Sequence, residues 1–598
     1  MVNFLRNNLD KATSPYLLQH KDNPIYWQEW SYETTEYAEE QSKPLFVSVG
    51  YATCHWCHVM AHEAFEDKGV AAFLNENFVS IKVDREQRPD IDQYLMSFLV
   101  QSQGGGGWPL NVILTPDLKP FFAATYIPLH PSHGFPGFLS VLESAKDHYS
   151  KNKENISEYH LPRPQSNKVD EDKIINSFLE HFDSEYGGFG YGLKFPPHNS
   201  LLFLIFFYEK TKDKRIGSIL EKTLDRIAFR GLCDYLQGGF YRYCVDREWQ
   251  IPHFEKMLYD QAMLLWAYSS AYKVFKNDSY KTVAEGIISC LIETFESDGL
   301  FYSAHDADTD HEEGKTYLWS KEELENVLGS DGFSDFSRVY SLYLFEGRYH
   351  LLKKQNKFLP EIEEKLLLER KKREQPFVDR KIVTSWNCLA GIGLIHAFRF
   401  LGDKTFLFRA QKVFIELSKK HFIGGVVFHS SLDGEVQQNE FLEDVASLLL
   451  FATYIYEETG EHLETIRLLF SRMQKFYDNC LYEGFSKDFI RVPAKDFDHP
   501  TPSSVSLFEL ASVRTKIILG EEYDKGDYLQ PLEHDFYNLA TAVRNGEFHI
   551  IHTPSKIQWD KLSINSIQIR DSGFQDCFDG KCTLFENVEE LIDSLRTS

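Results

Sequence analysis

Nine cysteines in 598 residues are too few for a disulfide scaffold, and Cys233, Cys244, Cys290, Cys388 and Cys480 stand alone. Isolated thiols suit a reducing compartment, where they act as small buried hydrophobes. Positive charge is also short. The chain has 64 Lys and Arg against 89 Asp and Glu, a formal net charge of −25, and no long basic block. That balance repels phosphate backbones, so no nucleic-acid partner is expected. No apolar run reaches membrane-spanning length, and the opening MVNFLRNNLDKATSPYLLQH lacks a signal-type apolar core. The expectation is a cytoplasmic protein with no membrane partner.

Aromatic residues, in contrast, are plentiful: 48 Phe and 31 Tyr in a chain that is 43% hydrophobic. A chain of this length outgrows a single ordinary core, so two or more domains, or a large helical barrel with another unit, are expected. Four cysteines are paired by spacing, Cys54 with Cys57 and Cys577 with Cys582.

The first pair sits in YATCHWCHVM. Before it, PLFVSVG reads as a buried strand ending at Gly50; after it, VMAHEAFEDKGVAAFLNENF has helical spacing. FVSIKVD reads as a second strand, and WPLNVILTPDLKPFFAATYIP as two strands joined by a Pro-Asp turn. Strand, Cys-x-x-Cys, helix, strand, helix, proline, hairpin is the thioredoxin order. At the first turn of a helix, Cys54 meets unpaired backbone N–H groups and the positive end of the dipole, which favour thiolate. Cys57 lies one turn on, within reach of a disulfide. A protonated His55 would make the pair more oxidising, and Pro109 occupies the slot of the proline that faces such a pair. Two other readings stand beside this one. Cys54, Cys57, His58 and His62 form a zinc set only if four ligands come from adjoining helical turns, which strains the geometry. A thioredoxin fold can also carry cysteines that do no redox work.

From residue 150 to 170 the chain turns polar, and helical patterns dominate thereafter. Gly-aromatic turns recur near Gly188, Gly239, Gly299, Gly425 and Gly484, a period of roughly 50–60 residues with one interval about twice as long. Repeated helical hairpins of this length predict an (α/α)₆ toroid, with an open solenoid as the alternative. Cleft candidates cluster beside the turns: His253, Glu255, Lys256 and Asp260; His305, Asp306 and Asp308; Lys381, Trp386 and Asn387; Glu440, Glu443 and Asp444. Carboxylates with a histidine and aromatic platforms are what glycoside hydrolysis or sugar epimerisation needs. Each acidic residue taken singly is better explained as a helix cap or an internal hydrogen-bond partner, whereas together a polar lining beside aromatic turns favours a binding cleft. Asp306-x-Asp308-x-Asp310 is not an EF-hand, because His311 and Tyr317 replace the glycine and the closing glutamate. No metal and no cofactor is expected.

The blocks SPYLLQHKDNPIYW, GYATCHWCHVM, NFVSIKVDREQRPDID, GGGGWPLNVILTPDLKPFFAATYIP, GGFYRYCVDREWQIPHFEKMLYDQA, SAHDADTD, TSWN, FLEDVA and the C-terminal C-x₄-C together resemble the YyaL-type, spermatogenesis-associated thioredoxin-like family over essentially the whole chain. The resemblance implies a thioredoxin-like domain fused to a six-hairpin glycosidase-like domain, with redox and carbohydrate roles inferred from the two folds. The chain departs from the family pattern at Ala61-His62 and at His305. The expected division is 1–165 thioredoxin-like, 166–520 toroid, and 521–598 a C-terminal extension packing on the toroid or a small α/β appendage. Three functions fit. One is a thiol–disulfide protein exchanging with a protein dithiol or disulfide partner through Cys54, Cys57, His55 and Pro109. Another is a carbohydrate-active enzyme using the toroid cleft, and the third a binding protein without turnover.

Overall fold

The computed structural model describes residues 2–132, 134–161 and 168–597. The expected boundary at 165/166 lies outside the described residues.

The N-terminal sheet has the order β2-β1-β3-β4, with β1 Leu45–Gly50, β2 Val79–Asp84, β3 Leu110–Leu114 and β4 Pro120–Ala124. β1 and β2 run parallel; β3 is antiparallel to both β1 and β4. Along β1 the side chains alternate: Leu45, Val47 and Val49 enter one core, and Phe46 the opposite one. Both faces are covered by helices, α1 His55–Glu63, α2 Lys68–Asn77, α3 Pro89–Gln103 and α4 Phe138–Asn152. Double coverage explains why β1 and β2 are buried at every residue. This is the thioredoxin-like arrangement the sequence order predicts.

Six helices build the toroid's inner ring: α5 His198–Thr211, α6 Leu258–Phe275, α7 Thr384–Leu401, α8 Leu442–Thr459, α9 Ser504–Leu519 and α10 Asp535–Arg544. Each packs on the next, and α10 packs back on α5, which closes the circle. Helices α6, α7 and α8 are buried almost all round, as helices walled in by a second layer must be. The outer layer among the described residues comprises Glu171–His181, Lys214–Phe229, Asp278–Cys290, Lys404–His421 and Leu463–Met473.

Each Gly-aromatic turn follows one of these outer helices and leads the chain towards the next inner one. Gly188 shows why glycine is needed: its φ is +73°, and a Cβ there would lie 2.7 Å from the Trp249 ring. The long interval between Gly299 and Gly425 hides no extra ring hairpin. It holds an insertion with helices Lys321–Val339 and Pro360–Arg370 and the hairpin Tyr340–Phe345/Arg348–Lys353. The sixth inner helix, α10, comes from the segment assigned by sequence to the C-terminal extension; its polar flanks at 521–534 obscure the ring periodicity. Beyond it lie a four-stranded sheet and the helix Val588–Thr597. Among the described residues, no helix is long and apolar enough to cross a membrane.

The two units meet over a polar and an apolar seam. Phe489 and Val492, from the chain between α8 and α9, enter the N-terminal core beside Trp30 and Tyr94. Arg88 grips Asp488 with two hydrogen bonds of 2.9 and 3.0 Å. This docking aims the start of α1 at the mouth of the ring.

Candidate functional site

Cys54 is the N-cap of α1, and its Sγ accepts the Cys57 N–H at 3.3 Å. The two cysteines form a disulfide with Cα atoms 5.2 Å apart. Gly50, ending β1, makes room for this pair: a Cβ there would meet Cys57 Sγ at 2.7 Å. The Trp108–Pro109 peptide is cis and leads directly into β3. Cys54 and Cys57 are only 3% and 2% exposed, whereas Trp56 between them is 50% exposed. The pair is sealed, and only the indole marks it on the surface.

The toroid supplies much of the seal. Thr53 donates its hydroxyl to Glu255 at 2.6 Å, and the Tyr51 hydroxyl reaches the same carboxyl at 3.4 Å. His55 Nδ1 meets Asp308 at 2.9 Å, and His58 Nε2 meets Asp306 at 3.1 Å. Burial opposes charge on both imidazoles, but the aspartates outweigh it and raise both pKa values. His253 behaves likewise: burial lowers it, and Glu313, 2.6 Å from Nδ1, more than compensates. Burial pushes Glu255 up to about 7.

The four side chains of the zinc alternative are not gathered round one point in this arrangement: the sulfurs bind each other, His58 faces Asp306, and His62 pairs with exposed Glu66. Of the toroid candidates, His253, Glu255, Asp306 and Asp308 converge on the cysteine loop. Asp260 lies one step deeper, 3.0 Å from His198 and 3.4 Å from Arg242. Trp386 packs edge-on against Tyr259 at 4.7 Å. Asn387 does not join them, because its amide is consumed by Phe301 N–H, Phe301 C=O and Val383 C=O. His305 also turns away, bonding Thr294 C=O at 3.0 Å, and burial lowers it to about 3. Glu443 and Asp444 open α8 beside His429, which lies 3.6 and 2.7 Å from them. Burial, then Asp444, pushes Glu443 up to about 8.

Sequence reasoning missed Tyr51, Thr53, Arg85, Arg242, Glu313, His429 and Lys495. One signal was present: REQR directly follows β2, and charged residues just past the carboxyl end of a buried strand are where α/β sheets receive ligands.

Residues 6–162 match the family model Thioredox_DsbH, described as a protein of unknown function, DUF255. "Uncharacterized protein B0495.5" of Caenorhabditis elegans is 36% identical, covering 77% of this chain and 73% of its own length. Spermatogenesis-associated protein 20 of Homo sapiens is 33% identical, covering 79% of this chain and 70% of its own. The chain belongs to the spermatogenesis-associated protein 20 family. Among solved structures, a D-mannose isomerase aligns at 12% identity and TM-score 0.40, over 69% of this chain and 92% of that one. The ring in this member of the spermatogenesis-associated protein 20 family rests on the packing of its own helices. In the same member, Cys577 and Cys582 pair across the hairpin Phe574–Phe578/Lys581–Phe585, far from sealed: Cys582 is exposed.

Proposed function

We propose that the chain is a thiol–disulfide oxidoreductase whose reacting pair is Cys54–Cys57. The observation that carries this reading is the position of Cys54 at the cap of α1, where its sulfur accepts the Cys57 N–H. A sulfur so placed is stabilised as thiolate by the first-turn amides and the helix dipole. In the dithiol state, Cys54 thiolate attacks a substrate disulfide, one substrate sulfur leaves as thiolate, and a mixed disulfide forms. Cys57 then displaces the second substrate sulfur and regenerates the intramolecular disulfide. Two electrons pass to the substrate, whose thiols take up the Cys57 proton and one from solvent, equal to the proton Cys54 released on ionising. Replacing Cys54 by Ser removes the attacking atom. Reduction of a small aromatic disulfide, and of insulin, by the reduced protein is expected to fall to background. Turnover by Cys54→Ser equal to the wild type would end the redox reading.

The seal adds a second expectation. The ties from His55 and His58 to Asp308 and Asp306 hold the pair against the toroid. Asp306→Asn with Asp308→Asn removes their charge, and alkylation of reduced Cys54 by iodoacetamide is expected to speed up about tenfold, the equivalent of about 1.4 kcal/mol of opening free energy. An unchanged rate would mean that these ties do not control access.

A carbohydrate-processing reading is favoured by a different observation. Glu255 and Glu443, at about 7 and 8, are carboxyls that hold a proton near neutrality, and Glu255 acts on Tyr259, whose ring packs against Trp386. A protonated carboxyl is what departure of a sugar oxygen requires. Thermal-shift screening against neutral sugars tests it, and the absence of any stabilisation removes its support.

A further inference from the structure

Three cations line the seam between the two units, and the chain leaves most of their donors unused. Arg85 follows β2, with its guanidinium 3.8 Å from the Trp108 ring centre and 5.4 Å from that of Tyr51. Its ionic neighbour Asp92 is 3.7 Å from Nε, too far for a hydrogen bond, and Asp92 already accepts the Trp108 indole N–H at 2.7 Å. Arg85 Nε is buried without a partner, and among the described residues this side chain donates no hydrogen bond. Arg242 lies 5.0 Å over Tyr259 and 5.4 Å over Phe195, with one long hydrogen bond, 3.4 Å, to Asp260. Lys495 Nζ donates to the His499 carbonyl at 2.7 Å and forms no ion pair among the described residues.

The three face common ground. Tyr51 and Tyr259 each interact electrostatically with both guanidinium groups, and Lys495 with both Arg85 and Glu443. Asp92 and Asp260 offset part of this charge, at 3.7 Å from Arg85 and 3.4 Å from Arg242, while burial raises Glu255 and Glu443 to about 7 and about 8, so that they offset less of it. Arg85 Nε is the one donor of the three side chains that is buried without a partner, a costly state that native folds rarely keep idle. A guanidinium laid flat on an aromatic ring keeps its edge free, the geometry that grips an oxyanion with two hydrogen bonds.

We propose that the seam is a binding site for a small oxyanion-bearing ligand, carrying a carboxylate or a phosphate. Arg85, Arg242 and Lys495 hold the acidic group, and the part-exposed Tyr51 and Trp108 pack against the body of the molecule. The site stands apart from the redox reading, because none of its groups is a sulfur.

Isothermal titration of the full chain at pH 7 and constant ionic strength tests it, with inorganic phosphate, glucuronate and neutral glucose as probes. Phosphate or glucuronate is expected to bind, glucose not, and the stronger of the two anions identifies the acidic group. Arg85→Gln and Arg242→Gln are each expected to weaken anion binding at least about tenfold, the loss of one charge-assisted hydrogen bond. Arg85→Lys keeps the charge and should retain part of the affinity. Should Arg85→Gln fail to fold, Arg242→Gln and Arg85→Lys carry the comparison. The proposal is overturned by no anion binding by the wild type up to about 10 mM, or by affinities that the arginine substitutions leave unchanged. Binding of glucose as tight as that of glucuronate also overturns it, because the acidic group would then contribute nothing.

Discussion

Lys381→Met is expected to destabilise the protein by about 3–5 kcal/mol, the cost of stranding buried charge. Lys381 is wholly buried, and its Nζ lies 2.6 Å from Asp84, 2.8 Å from Glu86 and 3.1 Å from Asp379. Asp84 ends β2 and Glu86 lies two residues on; Asp379 and Lys381 lead into α7. One ammonium therefore bridges the two units. Asp84 also accepts the Ser14 hydroxyl at 2.5 Å. Burial pushes Glu86 up to about 7 and raises Asp379, with Lys381 opposing both. Without the ammonium, the carboxyls must take up protons or separate.

The pH dependence follows from the direction of those shifts. A carboxyl raised in the fold favours folding while it is protonated, and loses that contribution as pH rises through its folded value. The deficit of Lys381→Met should be smallest near pH 5 and grow through pH 7. Adding Glu86→Gln and Asp379→Asn to Lys381→Met should restore much of the loss. Urea denaturation at three pH values measures all of this. A deficit below about 1 kcal/mol at pH 7 would mean that water or rearrangement already compensates the cluster.

The cluster also shows which parts of the molecule a sequence exposes. Strand alternation in PLFVSVG and the Cys-x-x-Cys that follows are local patterns, so the thioredoxin-like unit could be read from neighbouring residues. The ring was readable through its period, because each outer helix ends in the same glycine-aromatic turn. The doubled interval misled only as to content, since an insertion and a missing turn look alike to a period count. The seam was not readable. Lys381 lies 297 residues from Asp84, and His429 lies 343 from Glu86. Nothing in KIVTSWN or in VVFHSS announces a partner in the other unit. Arg85 is marked in the sequence only by its place just past β2, and Arg242 by nothing; their meaning comes from which aromatic rings they lie on.

His429 should make docking of the two units sensitive to alkaline pH. Its Nδ1 lies 2.7 Å from an Asp444 carboxylate oxygen, and its Nε2 lies 2.8 Å from the Glu86 backbone carbonyl. With Asp444 ionised, both neighbours accept hydrogen bonds only, so both ring nitrogens donate and the imidazole is the cation. Burial opposes that charge, but Asp444 and then Glu443 overcome it and carry the ring to about 9. A histidine raised in the fold contributes its full stabilisation below its unfolded value, about 6.5, and loses it as pH rises through the folded one. From 6.5 to about 9, at about 1.4 kcal/mol per pH unit, the contribution amounts to about 3 kcal/mol. Glu443 loses its proton in the same interval, near 8, and its sign is the same, because a raised carboxyl also favours the fold only while protonated. The wild type should therefore weaken steadily between pH 7 and 10 in urea denaturation, and Tyr51 and Trp108 at the seam should gain solvent exposure first. His429→Gln supplies no titrating cation, so it should start less stable at pH 7 and show a shallower decline. A flat wild-type profile over that interval, or an equally steep one in His429→Gln, would show that the imidazolium does not hold the seam.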